Sequence, residues 1–174
     1  MVLWMAEGDA HALLGTLLER EYGLAERPSL ARDENGKPFF PDRPDLCFNL
    51  SHSGGLALCG VGAAPLGVDL ERVRPRRAGL ENFVFSPAER AWFQQLGGDW
   101  GGFYTLWTLK EAKVKCLGTG LRQAPRTISV PLLRPGEEGV WEGLAFRAYA
   151  GDGWRAALCT RAPGPLPEDI VKIS

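Results

Sequence analysis

Residues 46–71, LCFNLSHSGGLALCGVGAAPLGVDLE, decide the reading of the fold. Three short apolar runs, Leu46–Leu50, Leu56–Val61 and Leu66–Leu70, are separated by Ser/His/Gly and Gly/Ala/Pro breaks. Runs of that length bounded by turn formers predict three strands that together make a small sheet. Upstream, Leu13, Leu14, Leu17, Leu18 and Tyr22 recur at helical spacing, and Gly23 supplies a stop, so residues 9–23 predict an amphipathic helix. Pro28–Pro44, with Asn35-Gly36 inside it, predicts an exposed loop of the kind on which ligands are met. Downstream, the connector Arg72-Val73-Arg74-Pro75-Arg76-Arg77 leads to a helical zone. Ser86-Pro87-Ala88-Glu89 has the order of a capping box with Pro at the first helical position, and Gly97-Gly98 ends the helix it opens. A further helix runs from about Phe103 to Leu117, before Gly118 and Gly120. Thr127–Val130, Trp141–Ala150 and Trp154–Thr160 predict returning strands, and Pro163–Pro167 closes the fold. Helix, strands, helices, strands is the order of an α+β protein rather than an alternating α/β one.

At 174 residues the chain is one domain or two tightly associated halves. The boundary between halves falls at the arginine-rich connector, giving residues 1–75 and 76–174. Apolar residues make up 45% and charged residues 24%, enough for a core and far from a disordered composition. The net charge of −1 provides no field of one sign, which argues against nucleic acid or a membrane surface as partner. The uncharged run Gly54–Val68 contains Pro65 and falls short of the ~18 apolar residues of a spanning helix. With Glu7 and Asp9 where a secretory signal carries its apolar core, the expected location is cytoplasmic. Cys47, Cys59, Cys116 and Cys159 form no C-x-x-C pair and read as packed thiols, and two histidines are too few for an obvious zinc site. Five of the twenty basic residues are lysines, and three of those crowd into residues 110–115.

Three segments carry chemistry. In Gly67-Val68-Asp69-Leu70-Glu71 the strand period places Asp69 and Glu71 on one face and Val68 and Leu70 on the other. Two like charges on one sheet face are costly unless a cation lies between them; a solvated edge strand is the plainer reading of D-x-E alone. In the segment 103–117, Trp107, Glu111 and Lys115 repeat at i, i+4 and i+8 and share one stripe, with Phe103, Leu106 and Leu117 nearer the core. A surface Glu–Lys pair is the ordinary use of such spacing, but Lys110, Lys113 and Lys115 exceed what one Glu requires, and spare cations suggest an anionic ligand. Phe48-Asn49-Leu50-Ser51-His52-Ser53-Gly54-Gly55 ends a strand in small polar residues that bring N–H groups and an imidazole against phosphate, or that merely cap a turn. A Ser–His nucleophile lacks an acidic orienter. Asn35-Gly36-Lys37-Pro38 adds a lysine on a tight turn. Together these describe a metal-assisted site for a phosphate ester or anhydride, with magnesium favoured because it takes oxygen ligands and few carboxylates.

GKPFF at 36–40, FNLSHS at 48–53, GVDLE at 67–71, FSPAE at 85–89, WTLKEAKVKCLGTGL at 107–121 and LPEDI near the C-terminus resemble, in order and spacing, the 4′-phosphopantetheinyl transferases of the surfactin-synthetase-activating type. The resemblance covers the chain from about residue 9. It implies two pseudo-symmetric α+β halves with coenzyme A in the cleft between them. It implies Mg²⁺, or Mn²⁺ in its place, held by Asp69, Glu71 and Glu111 with the diphosphate. Arg32, Lys37, Ser51, His52 and Lys115 become coenzyme A contacts, and Glu111, Lys115 and Asp69 the catalytic group. The implied reaction is attack by a serine of an apo carrier protein (acyl, aryl or peptidyl) on the pantetheine-side phosphorus of coenzyme A, expelling adenosine 3′,5′-bisphosphate. Glu111 is the expected general base, directly or through water. Which carrier is served, of fatty acid, polyketide or peptide assembly, stays open. Arg72, Arg74, Arg76 and Arg77, beside Phe83-Val84-Phe85, suit an acidic carrier, or form a solvated linker. Relatives of this type carry a longer N-terminal region, so the first half reads as shortened, with a sheet edge left exposed. The alternatives are a magnesium-dependent hydrolase of nucleotide anhydrides and a catalytically weakened relative that only binds carrier proteins.

Overall fold

The computed structural model describes residues 1–174 apart from Leu121, Pro163 and Ser174. Leu121 ends the motif at 107–121 and Pro163 opens the closing segment 163–167, so those two positions lie outside the described residues. In chain order the elements are β1 (Val2–Glu7), α1 (Ala10–Tyr22), β2 (Ala31–Arg32), β3 (Pro38–Phe39), β4 (Cys47–Ser53), β5 (Leu56–Gly62), β6 (Leu66–Arg72), α2 (Glu81–Val84), α3 (Pro87–Gln95), α4 (Trp100–Leu117), β7 (Glu138–Trp141), β8 (Leu144–Gly151), β9 (Trp154–Thr160) and β10 (Val171–Lys172). The order is α+β, as expected.

The three central strands do not share one sheet. β4 and β5 pair antiparallel in a sheet of order β10-β1-β5-β4, whereas β6 crosses into a second sheet of order β6-β9-β8-β7. An apolar run announces a buried strand but carries no sign of which neighbour it takes. β1, unread in the sequence, sits between two apolar layers: Leu3 and Met5 face the second sheet while Trp4 faces α1. With both faces buried it shows no polar alternation. The edge expected to be free beside it is taken by β10, which pairs parallel with Trp4 and Met5.

Two corrections fall in the C-terminal strands. Thr127–Val130 is no strand; Pro125–Thr127 makes a 3₁₀ turn, since Pro125 has no N–H for a ladder, and Ile128 and Val130 are buried by packing alone. The run Trp141–Ala150 is a hairpin, β7 and β8, folded at Glu142-Gly143, both with positive φ. The helices follow their signals. Asp9 caps α1 by accepting from His11 and Ala12 N–H. Ser86 and Glu89 form the reciprocal capping box of α3. α4 begins at Trp100, earlier than Phe103, because Asp99 accepts from the Gly102 N–H at 2.7 Å; Gly101-Gly102, poor helix formers, conceal the start. Leu117, read as core-facing, is exposed.

The layers follow from the burial. α1 packs through Leu13, Leu14, Leu17 and Leu18 on Trp4, Phe48, Cys59 and Val61 of the first sheet. Leu3, Met5, Leu56 and Leu58 on its other face meet Val68, Leu70, Tyr149 and Leu158 of the second sheet. α4 covers the far side of that sheet through Leu106, Leu109 and Ala112 against Phe146, Ala148 and Ala157.

Candidate functional site

β6 points Val68 and Leu70 into the core between the sheets, so strand alternation turns Gly67, Asp69 and Glu71 toward α4. Gly67 is where strand and helix touch. A Cβ built there runs into the Ala112 carbonyl oxygen and the Cys116 nitrogen of α4. This backbone-to-backbone contact brings Asp69, two residues on, to the turn of α4 that carries Glu111 and Lys115.

The Asp69 carboxylate is buried, and its Oδ1 accepts from Lys115 Nζ at 2.7 Å and from Ser51 Oγ at 3.0 Å. Ser51 Oγ in turn accepts from Lys115 Nζ at 3.0 Å and from the Leu70 N–H at 3.1 Å. Ser53 Oγ donates to Glu71 Oε2 at 2.8 Å. Asp69 Oδ2 and Glu111 Oε1 are buried without a hydrogen-bond partner among the described residues. Burial, and then the neighbouring Asp69 and Glu71 charges, push Glu111 up to about 7, against the pull of Lys115. Burial likewise raises Asp69, opposed by Lys115 and Ser51. Among the described residues, no three of His, Cys, Asp or Glu stand together as a ready metal-ligand group.

A side-chain ladder frames this cluster. β6 turns the N–H groups of Val68, Leu70 and Arg72 away from β9, toward β4, and there Asn49 Oδ1, Ser51 Oγ and Ser53 Oγ accept them at 2.8, 3.1 and 3.1 Å. The alternating polar residues of FNLSHS thus satisfy an edge that would otherwise hold orphaned donors. Asn49 and Ser53 were missed as site-building residues; their period of two along the strand is the signal that could have found them.

The other predicted residues are spread differently. His52 is exposed beside the buried Ser51. Arg32, on the β2–β3 hairpin, is exposed and donates to the Gly36 carbonyl at 2.7 Å. Lys37 reaches inward, and its ammonium donates to the carbonyls of Leu66, Lys115 and Cys116 at 3.1, 2.6 and 3.1 Å. Three donors are spent on three carbonyls, so the phosphate contact implied for Lys37 is not open to its side chain as folded. The lysine cluster of α4 also needs correcting. Lys110 is fully buried against Glu89 Oε1 at 2.7 Å, and Lys113 meets Glu142 Oε2 at 2.6 Å, so neither is a spare cation. Of that cluster, Lys115 alone faces the carboxylates.

The model of the 4′-phosphopantetheinyl transferase superfamily matches residues 65–159, more than half of the chain. The chain belongs to that superfamily. As a phosphopantetheinyl transferase it is 33% identical over 181 residues to the 4′-phosphopantetheinyl transferase Sfp of Bacillus subtilis, covering 95% of this chain and 80% of that protein. A second Bacillus subtilis 4′-phosphopantetheinyl transferase is 34% identical over 170 residues, 89% of this chain and 76% of the relative. The 4′-phosphopantetheinyl transferase AcpT of Salmonella typhimurium is 35% identical over 159 residues, 86% and 76% of the two chains. The superfamily match runs from Pro65 to Cys159 and so takes in Asp69, Glu71, Glu111 and Lys115, while Lys37, Ser51 and His52 lie before it.

In this transferase a cavity of about 210 Å³ opens beside Lys115, walled by Asn35–Pro38 of the hairpin, Asn49, Val114 and Gly118. A larger one of about 420 Å³, bounded by Lys113, Arg122, Ser129 and Glu142, has no carboxylate of the cluster in its lining. The two share Asn35, Val114 and Gly120 and so adjoin along the end of α4.

Proposed function

We infer that this transferase moves 4′-phosphopantetheine from coenzyme A to a serine of an apo carrier protein and releases adenosine 3′,5′-bisphosphate. The observation that carries the reading is the pair of the buried Asp69 of β6 with the partly buried Lys115 of α4, electrostatically coupled to Glu111, whose Oε1 has no partner among the described residues. The coenzyme lies in the cavities along α4, in a cleft to which both halves, 1–75 and 76–174, contribute. The serine Oγ–phosphorus bond forms as the bond from that phosphorus to the bridging oxygen breaks, and the bisphosphate leaves with the electron pair. Lys115 offsets charge on the phosphoryl oxygens. Ser51 holds the Lys115 ammonium and the Asp69 carboxylate in register, and His52 and Arg32 contact phosphate from the exposed side. Glu111 takes the serine proton, directly or through a water.

Magnesium, or manganese, is assigned to Asp69, Glu71 and Glu111. Two buried carboxylate oxygens without partners among the described residues, Asp69 Oδ2 and Glu111 Oε1, would suit a hard cation, which prefers oxygen ligands. Bound there, the ion would neutralise charge on the diphosphate. At neutral pH Glu111 is partly protonated, so cation binding must displace a proton. Calorimetric Mg²⁺ titrations in buffers of different ionisation enthalpy should show proton release near pH ~7 that fades by pH ~8, with affinity rising over that interval. Affinity constant from pH ~6 to pH ~8 takes Glu111 out of the ligand set.

The carrier meets the arginine connector. Arg74, Arg76 and Arg77 are exposed, and so is Phe83, at 71%, farther along the chain; Val84 and Phe85, expected to share that face, are core residues. Charge reversal at Arg76 and Arg77 should slow carrier modification about tenfold at low salt and flatten its salt dependence. Unchanged low-salt rates reject this face. Among the described residues no helix is long and apolar enough to cross a membrane, and all four cysteines are free thiols, consistent with work beside carrier proteins in the cytoplasm.

The deciding experiment is intact mass spectrometry of an apo carrier protein incubated with this chain, coenzyme A and Mg²⁺. The expected result is one added phosphopantetheine per carrier. Coenzyme cleavage with no mass gain on the carrier replaces the transferase with a hydrolase.

A further inference from the structure

The end of α4 presents an electrostatic problem that one residue of the first half solves. The last carbonyls of a helix lack intrahelical partners and carry the negative end of its dipole. Gly118 closes only Val114, through its N–H. Lys115 and Cys116 carbonyls are met by the Lys37 ammonium, whose third donor goes to the carbonyl of Leu66, the first residue of β6. The hairpin that delivers Lys37 is itself tied: Asp33 Oδ1 accepts from the Asn35 and Lys37 N–H groups at 2.9 Å each, and the Asp33 N–H donates to the Lys37 carbonyl at 3.0 Å. Lys37 is half-buried and burial disfavours its charge, so the three carbonyls compensate a real desolvation cost.

We propose that Lys37 is a positioning residue, bolting the start of β6 to the end of α4 and so setting the spacing of the carboxylates those two elements carry. The proposal rests on the transferase reading for what those carboxylates do. The geometry is that of a pivot and a clamp. Gly67 lies one residue from the clamped Leu66 carbonyl and touches α4 at Ala112 and Cys116, while Asp69 sits two residues farther along β6. β9 and the Asn49–Ser51–Ser53 ladder hold β6 along its length, so without Lys37 it is the end of α4 that shifts against the strand, moving Glu111 and Lys115 relative to Asp69 and Glu71. A lysine that contacted coenzyme phosphate would govern coenzyme affinity. A clamp governs the turnover rate and the binding of the cation.

Lys37→Met keeps the aliphatic stem and removes every donor. Mn²⁺ titrated into the coenzyme-free protein by calorimetry should bind about tenfold more weakly than to the parent. With apo carrier and Mg²⁺, kcat should fall about tenfold or more. KM for coenzyme A and the affinity for adenosine 3′,5′-bisphosphate should stay within about twofold, because no phosphate contact is lost. Unchanged Mn²⁺ affinity and kcat, or a rise of about tenfold in KM with kcat unchanged, overturns the proposal. If Lys37→Met does not fold, Lys37→Gln, which retains an N–H₂ donor, is read by the same split. A parent protein that binds Mn²⁺ but transfers nothing counts against the transferase reading, and the Mn²⁺ comparison then tests the clamp alone.

Discussion

Glu111→Gln should abolish carrier modification, lowering kcat/KM by about a thousandfold, because one change removes both roles we propose for this residue, cation ligand and acceptor of the serine proton. The same substitution should make the cation-free protein more stable at neutral pH. Glu111 is raised to about 7 by burial and by repulsion from Asp69 and Glu71. Between its unfolded value and about 7 the folded chain therefore holds more proton than the unfolded one. Its contribution to stability consequently falls as pH rises through that window, and no further loss follows once both states are ionised. A neutral amide of the same shape has no such penalty. Intact-mass assays and thermal melts without divalent cation, at several pH values, read both effects. Retained transfer, or a melting temperature lower than the parent's at pH ~7, contradicts the assignment.

Lys110→Met should cost about 3–5 kcal/mol of folding stability, measured by urea unfolding. Lys110 is 0% exposed, and its ammonium meets Glu89 Oε1 at 2.7 Å, the Ile128 carbonyl at 2.6 Å and the Pro125 carbonyl at 3.0 Å. Removing it leaves Glu89, 4% exposed, as a buried charge with, among the described residues, only the Ser86 N–H against one oxygen. It also takes a donor from the Ile128 carbonyl in the turn that follows α4, while the Pro125 carbonyl keeps the Ile128 N–H. Glu89→Gln added to Lys110→Met should recover a good part of the loss, since the uncompensated charge disappears while the capping bond to Ser86 is kept. A single variant as stable as the parent, or a double variant less stable than Lys110→Met, contradicts this account of the pair.

The clustering of the charged side chains was more legible than the strand pairing. Alternation in GVDLE faced Asp69 and Glu71 one way, and the i, i+4 spacing put Glu111 and Lys115 on one stripe; the structure brings the two together because both are short-range regularities of backbone geometry. Departure of β6 from its neighbours in sequence was not legible, since its partner β9 lies far along the chain, beyond three helices. The lysines of α4 misled for a related reason. Lys110 and Lys113 look surplus along the helix, and their partners Glu89 and Glu142 arrive from α3 and from the β7–β8 hairpin. Lys37 was visible as a lysine on a turn, but the carbonyls that absorb it belong to elements far along the chain.

The Asn49–Ser51–Ser53 ladder has a bearing on how such a molecule tolerates change. An ordinary pair of strands is joined by main-chain groups that every residue type except proline supplies, so its seam is nearly indifferent to mutation. Here the join is written in three side chains, and the middle one also grips Lys115 and Asp69, to which we assign the chemistry. Drift at these positions therefore loosens the architecture and detunes the chemistry in a single stroke, so the two properties cannot be selected separately.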